Sequence, residues 1–134
     1  MKTKSKSILS LLCLLTLTSF FTGCGETVIS EDQMQERNGL VYTVNQETPF
    51  TGVVVNHYED GQKEWERRYK DGVEDGLWIE WFENGQKKRE SRYKKTWILG
   101  DKKAWIHSTK EGLWIEWFPN GQKKREGRYK GDQK

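Results

Sequence analysis

The side chains able to do chemistry are two histidines, one cysteine beyond an apolar leader, and acids and bases that recur at fixed spacing. His57 and His107 have no His or Cys neighbour at metal-ligand spacing, so neither points to a metal centre. His57 stands where related segments of the chain carry tryptophan, which predicts a half-buried packing role. There is no G-x-S-x-G elbow and no phosphate-binding glycine loop. Carboxylates recur as Glu80 and Glu116 and as Glu90 and Glu126. Acid–base catalysis needs two carboxyls in unlike environments, and repetition makes like ones. The residues predict a noncatalytic chain with no cofactor and no metal. The Lys-Lys-Arg triplets Lys87–Arg89 and Lys123–Arg125 have two readings. One is a basic stripe for anionic headgroups or an acidic partner. The other, which weighs more, is a set of long stems covering tryptophan rings with their charged heads in water. Strand alternation sends Lys87 and Arg89 to one face and Lys88 to the other.

The elements that position these groups are repeats. Gly76–Lys94, GLWIEWFENGQKKRESRYK, returns as Gly112–Lys130, GLWIEWFPNGQKKREGRYK, differing only at Glu83/Pro119 and Ser91/Gly127. A looser copy starts at Gly52. A short unit repeated three times makes a repeat protein, in which each unit buries its surface against its neighbours. Each unit reads as a β-hairpin turning at Asp60-Gly61, Asn84-Gly85 or Asn120-Gly121, the residue pairs favoured by a type I′ turn. A two-residue turn predicts the pairs Phe82–Lys87, Glu80–Arg89, Trp78–Ser91 and Gly76–Tyr93. One face then carries Trp78, Phe82 and Tyr93; the other carries Leu77, Ile79 and Trp81. A lone hairpin is marginal in water, so the fold class is all-β, with hairpins joined edge to edge into one extended, twisted sheet.

Residues Gly76, Trp78, Trp81, Phe82, Asn84, Gly85, Glu90 and Tyr93 carry a pattern that resembles the bacterial MORN-repeat variant family. Gly112, Trp114, Trp117, Phe118, Asn120, Gly121, Glu126 and Tyr129 carry it again. The first copy departs, with Val54 and His57 in place of tryptophans, while Asp60, Gly61 and Tyr69 hold. The resemblance covers about residues 49–131 and implies successive antiparallel hairpins. The family often bears a YwqK-type antitoxin label, which implies a protein partner.

Residues 1–23 read as a targeting segment: Lys2, Lys4 and Lys6 precede an apolar stretch, Ile8–Phe21, shorter than the ~20 residues that span a bilayer. Phe21-Thr22-Gly23-Cys24 is similar to a bacterial lipobox, which implies cleavage before Cys24 and its acylation, with palmitate among the expected chains. The competing reading is an ordinary secretory peptide with an incidental cysteine. Gly25 rather than Asp after the cysteine implies passage to an outer membrane where the cell has two. Cleavage leaves Cys24 as the sole cysteine, which allows no disulfide within the mature chain.

The full chain has 23 basic and 20 acidic residues, and removal of three leader lysines brings the mature chain to zero net charge. Its basic isoelectric point therefore argues little for a nucleic-acid partner, and export argues against one. Residues 24–39 are polar and acidic and predict a tether. Leu40–Val44 predicts a strand capping the first edge of the sheet. Residues 40–131 form the array, with units near 52–75, 76–95 and 112–131, and residues 132–134 fray. Spacing between unit glycines is 24 from Gly52 to Gly76 and 36 from Gly76 to Gly112. The excess, residues 96–111, reads as a degenerate hairpin turning at Gly100-Asp101, or as a loop presenting Trp97 and Trp105.

These readings combine into a noncatalytic envelope lipoprotein, anchored through Cys24, that presents its repeats to a protein partner or a membrane. The candidate surface comprises Trp78, Trp81, Phe82, Tyr93, Trp97, Trp105, Trp114, Trp117, Phe118 and Tyr129 with Lys87, Arg89, Lys123 and Arg125. The alternative is an envelope glycan-binding module built from tryptophan-rich hairpins.

Overall fold

A computed structural model describes residues 25–99 and 104–130, the side chains of 97–99 and 104–106 excepted. The leader, Cys24, the turn at Gly100-Asp101 and residues 131–134 lie outside the described residues, as do the side chains of Trp97 and Trp105. The described chain is β-structure throughout, apart from one 3₁₀ turn at Glu31–Gln33. Its strands are β1 (Val28–Ser30), β2 (Met34–Arg37), β3 (Leu40–Thr43), β4 (Gly52–His57), β5 (Lys63–Lys70) and β6 (Val73–Trp81). They continue as β7 (Lys87–Leu99), β8 (Ala104–Lys110), β9 (Gly112–Trp117) and β10 (Lys123–Tyr129). The main sheet runs β1-β4-β5-β6-β7-β9-β10, with β8 also on β7, and β2 pairs with β3 in a small second sheet.

The acidic segment expected to be a free tether is instead built into the fold. Val28, Ile29 and Ser30 pair in parallel with Val53, Val54 and Val55, so β1 and not β3 covers the first edge. Parallel pairing needs a long crossover, which the excursion through β2 and β3 provides. Gly52 makes the approach feasible: a Cβ there would collide with the Thr27 carbonyl, which accepts the Val53 N–H at 2.8 Å. Glu26 forms an ion pair with Arg68. The expected edge strand at Leu40–Val44 pairs with β2, Met34 opposite Thr43 and Arg37 opposite Leu40. This small sheet is fastened to the array by Val41 N–H to the Gly72 carbonyl at 2.9 Å and Phe50 N–H to the Val41 carbonyl at 2.8 Å.

The apolar core follows from that arrangement. Ile29, Val41, Phe50, Val54, Trp65 and Tyr69 form one buried cluster, with Met34 against it. It sits at the β1–β5 end, where two layers meet. From β7 onward, Tyr93 is the one buried apolar residue among the described side chains. The second and third units are therefore a single layer, stabilised by neighbours within the sheet rather than by a layer above it.

The hairpin corners differ from the type I′ turn read from Asn-Gly. Gly85 has φ +77°, but Asn84 does not enter the positive-φ region. The corner runs from Phe82, whose carbonyl accepts Gly85 N–H at 2.9 Å and whose N–H donates to the Gln86 carbonyl at 2.8 Å. This is the longer hairpin loop in which a type I turn precedes one glycine in the left-handed region, leaving a bulge. Pairing away from the corner matches the sequence reading: Gly76 with Tyr93, Trp78 with Ser91, Glu80 with Arg89. Beside the corner Lys87 faces Trp81, not Phe82. A positive-φ pair does occur between units, where Asp71 (φ +49°) and Gly72 (φ +78°) join β5 to β6 with Lys70 opposite Val73.

Between the second and third units that tight connection is replaced by an arm. Strand β7 runs on to Leu99, and β8 returns along it from Leu99↔Ala104 to Tyr93↔Lys110. Strand β9 then takes the same edge of β7 further along, with Arg89 opposite Glu116 and Glu90 opposite Ile115. The longer spacing thus makes a hairpin that lengthens β7 rather than an extra unit in the row. Gly112, at φ +72°, marks the break between β8 and β9.

Candidate interaction surface

Directly paired residues share a face, so the register sorts the candidate residues into rows across the strands. One face carries three such rows. In the first, glycine faces tyrosine three times: Gly52–Tyr69, Gly76–Tyr93 and Gly112–Tyr129. A ring beside a missing side chain keeps the sheet surface filled. In the second, Trp78 faces Ser91 and Trp114 faces Gly127, so each indole lies beside a small residue. The rings continue from row to row, with centroids 5.1 Å apart for Trp78 and Tyr93 and 6.1 Å for Trp114 and Tyr129.

The third row alternates charge: Glu80, Arg89, Glu116, Arg125. Arg89 reaches Glu80 at 3.7 Å and Glu116 at 3.2 Å. Arg125 grips Glu116 with both ends of its guanidinium, Nε to Oε2 at 2.7 Å and Nη2 to Oε1 at 3.0 Å. That bidentate hydrogen bonding, more than the surrounding charge, holds the Glu116 carboxyl below the usual carboxylate range. Glu116 is accordingly a fixed anion and a structural tie.

The opposite face has its own rows. Glu66, Ile79, Glu90, Ile115 and Glu126 alternate acid and isoleucine across five strands. Each glutamate is met by the lysine three residues before it: Lys63–Glu66 at 2.8 Å, Lys87–Glu90 at 2.7 Å and Lys123–Glu126 at 2.8 Å. The same lysines also lie beside the next unit's indole, Lys63 at 5.6 Å from Trp81 and Lys87 at 5.8 Å from Trp117. The ammonium groups of Lys63 and Lys87 are thus each shared between a glutamate and a ring.

The candidate surface read from sequence is thus two surfaces. Trp78, Tyr93, Trp114, Tyr129, Arg89 and Arg125 share one face; Trp81, Trp117, Lys87 and Lys123 share the other. Lys87 and Arg89 were expected together, but beyond the corner the register shifts between Trp81↔Lys87 and Glu80↔Arg89, leaving Lys88 as the extra residue and turning the two to opposite faces. Lys88 reaches Glu80 at 3.8 Å. Phe82 and Phe118 stand at the corners, where Lys124 lies 5.7 Å from the Phe118 ring. His57 is exposed rather than half-buried, because β1 ends opposite Val55 and no described strand pairs with the end of β4 on that side.

Three contributors escaped the sequence reading. Arg67 lies between two indoles, 4.4 Å from Trp65 and 4.2 Å from Trp78. It aligns with Ser91 and Gly127 in the later units, so the repeat pattern hides it. Lys63 aligns with Lys87 but lies outside the better copies. Lys110, from the arm, sits 5.9 Å from the Tyr93 ring and 5.4 Å from the Tyr129 ring. With Arg89, Ser91, Trp114 and Glu116 it lines an open hollow of about 290 Å³. In the preceding unit the equivalent space over the sheet is occupied by the Arg67 side chain. Among the described residues no group of three or more His, Cys, Asp or Glu converges as metal ligands would.

No curated protein and no solved structure matches the chain. A family model does match: the MORN repeat variant is recognised at residues 74–95 and again at 110–130. Each matched stretch spans one hairpin of the sheet, β6 with β7 and β9 with β10. The chain therefore carries two units similar to the MORN repeat variant, set side by side in one β-sheet.

Proposed function

We propose that this chain is a noncatalytic cell-envelope lipoprotein, held to the membrane through acylated Cys24, whose repeats bind a protein partner. The observation that carries the interaction role is the single-layer sheet of the second and third units. Apart from buried Tyr93, the aromatics of its rows are half-exposed on both faces, with Leu113 and Phe118 exposed outright. Isolated monomers rarely leave broad aromatic surface uncovered unless it meets a partner. The recurring carboxylates Glu80, Glu90, Glu116 and Glu126 are each held in an ion pair, which supports a binding rather than a catalytic use. An antitoxin role, as the family label implies, then requires a toxin located in the envelope.

Two experiments test this reading. Metabolic labelling with a palmitate analogue should mark the wild-type chain and fail on Cys24→Ala; labelling of both, or of neither, overturns the anchor. Crosslinking in intact cells should give a discrete protein adduct that Trp81→Ala/Trp117→Ala or Trp78→Ala/Trp114→Ala reduces in a folded chain. Retention on isolated cell wall, with no protein adduct, would favour the glycan-binding module instead.

A further inference from the structure

Strand β10 repeats the sequence of the paired part of β7, KKRESRYK against KKREGRYK. Strand β7 is covered on both edges, by β6 and by β8 with β9. Strand β10 pairs with β9, and no other described strand lies beside it. All its residues except Gly127 and Tyr129 are exposed. The array itself displays what such an edge accepts, because it shows what covers the edge of β7.

We propose that the outer edge of β10 receives an acidic extended segment of a partner protein, added as the next strand of the sheet. At β7 the covering segment places Glu116 opposite Arg89, with 3.2 Å between the charged groups. Five residues earlier Glu111 meets Lys94 at 3.6 Å, and its N–H donates to the Arg92 carbonyl at 2.9 Å. The same positions on β10 are Arg125, Lys130 and Arg128. Arg89 has acids on both sides, whereas among the described residues Glu116 is the one acid paired with Arg125, whose side chain is 60% exposed. The fitting segment therefore carries two acids five residues apart, the later one opposite Arg125 and the earlier one beside Lys130. Backbone hydrogen bonds supply affinity in this mode, and side-chain pairing supplies choice of partner.

Charge decides against a second copy of this chain as the occupant. Residues 123–130 carry Lys123, Lys124, Arg125, Arg128 and Lys130 against Glu126 alone. Antiparallel pairing of two β10 strands about Glu126 sets Glu126 against its own copy and Lys124 against Arg128. Pairing about Arg125 opposes two arginines. Like charges directly opposite destabilise a sheet, and basic edges commonly prevent self-pairing. The same charges admit an acidic strand.

The inference rests on the array being a protein-interaction module, and its test uses peptides against the unaltered mature chain. The first peptide has the sequence of residues 109–118. A second carries Glu111→Lys and Glu116→Lys; a third keeps both acids but carries Leu113→Pro and Ile115→Pro. Fluorescence anisotropy should show the first binding, with the second and third weaker by roughly tenfold or more. Hydrogen exchange should slow at residues 123–129 only when the first is present. Equal binding of the proline peptide, no binding of the first, protection away from β10, or a dimer joined through β10 would overturn the proposal. Trp81→Ala, on β6 and away from β10, tests the faces and should leave peptide affinity unchanged, so the two readings fail separately.

Discussion

The Trp114 indole lies over Gly127 so closely that a Cβ on Gly127 would stand 2.7 Å from the ring. In the preceding unit the same strand position is Ser91, which is buried, and there Trp78 sits nearer its tyrosine, 5.1 Å against 6.1 Å. The ring therefore has an alternative seat that clears a small side chain. Gly127→Ser should be accommodated with a change of less than about 1 kcal/mol as Trp114 moves toward Tyr129. Gly127→Val has a second branch to seat and should cost about 1–3 kcal/mol by urea unfolding. Equal losses for the two would show that Trp114 cannot take the Trp78 position.

Glycines at two corners separate backbone strain from crowding. Gly61 has φ +85° and open space where a Cβ would lie. Gly72 has φ +78°, but its Cβ would meet the Leu40 Cβ and the Val41 carbonyl at 3.0 Å and Pro49 at 3.1 Å. Gly61→Ala should cost ~1 kcal/mol from conformation alone. Gly72→Ala should cost about twice that or more, since it also pushes the β2–β3 layer off the array. The urea midpoints compare them directly, and equal shifts would mean that the small sheet is not held at Gly72.

These contacts mark how far the sequence could be read. The pairs Gly76–Tyr93, Trp78–Ser91 and Glu80–Arg89 were legible because alternation and repetition both constrain them. The corner was not, since Asn-Gly suits two hairpin loops of different length. Pro119 held the missed signal: a two-residue turn would need its N–H to bond Gln122, which proline cannot do. In the structure the neighbouring Phe118 N–H makes that bond, at 2.8 Å. The docking of Ile29 was illegible for another reason. Its parallel partner Val54 lies in a distant strand, and polar composition gave no local sign of pairing. Arg67 was hidden because it departs from the repeat at the one position where departure matters.

Acid should expose the tie between Glu116 and Arg125. The carboxyl is held ionised chiefly by the Arg125 hydrogen bonds, so its folded-state pKa is depressed. A depressed carboxyl contributes stability that is present above the ordinary carboxylate range and is lost as pH falls through the folded value. Glu116→Gln should lower stability at neutral pH and flatten the acid limb of the stability curve. At pH below the depressed value the variant and the wild type should converge. Parallel curves, offset by a constant amount, would show that Glu116 contributes through packing instead.

Alkali should act at the buried Tyr93. Burial, reinforced by the Glu74 charge, pushes the Tyr93 phenol from 10.0 up to about 12. The folded state therefore favours the neutral phenol, and its contribution is complete below the unfolded value. It is lost as pH rises between about 10 and 12, the range set by the two pKa values. Tyr93→Phe keeps the ring beside Trp78 and removes the ionising group, so stability should fall less steeply over that range. Burial raises Tyr69 as well, so some slope should remain. Ultraviolet titration of phenolate absorbance in the folded chain checks the assignment, because Tyr93→Phe must delete a late-titrating phenol. Loss of an early one instead would mean that Tyr93 is open to solvent and that the single-layer sheet is looser there than its burial implies.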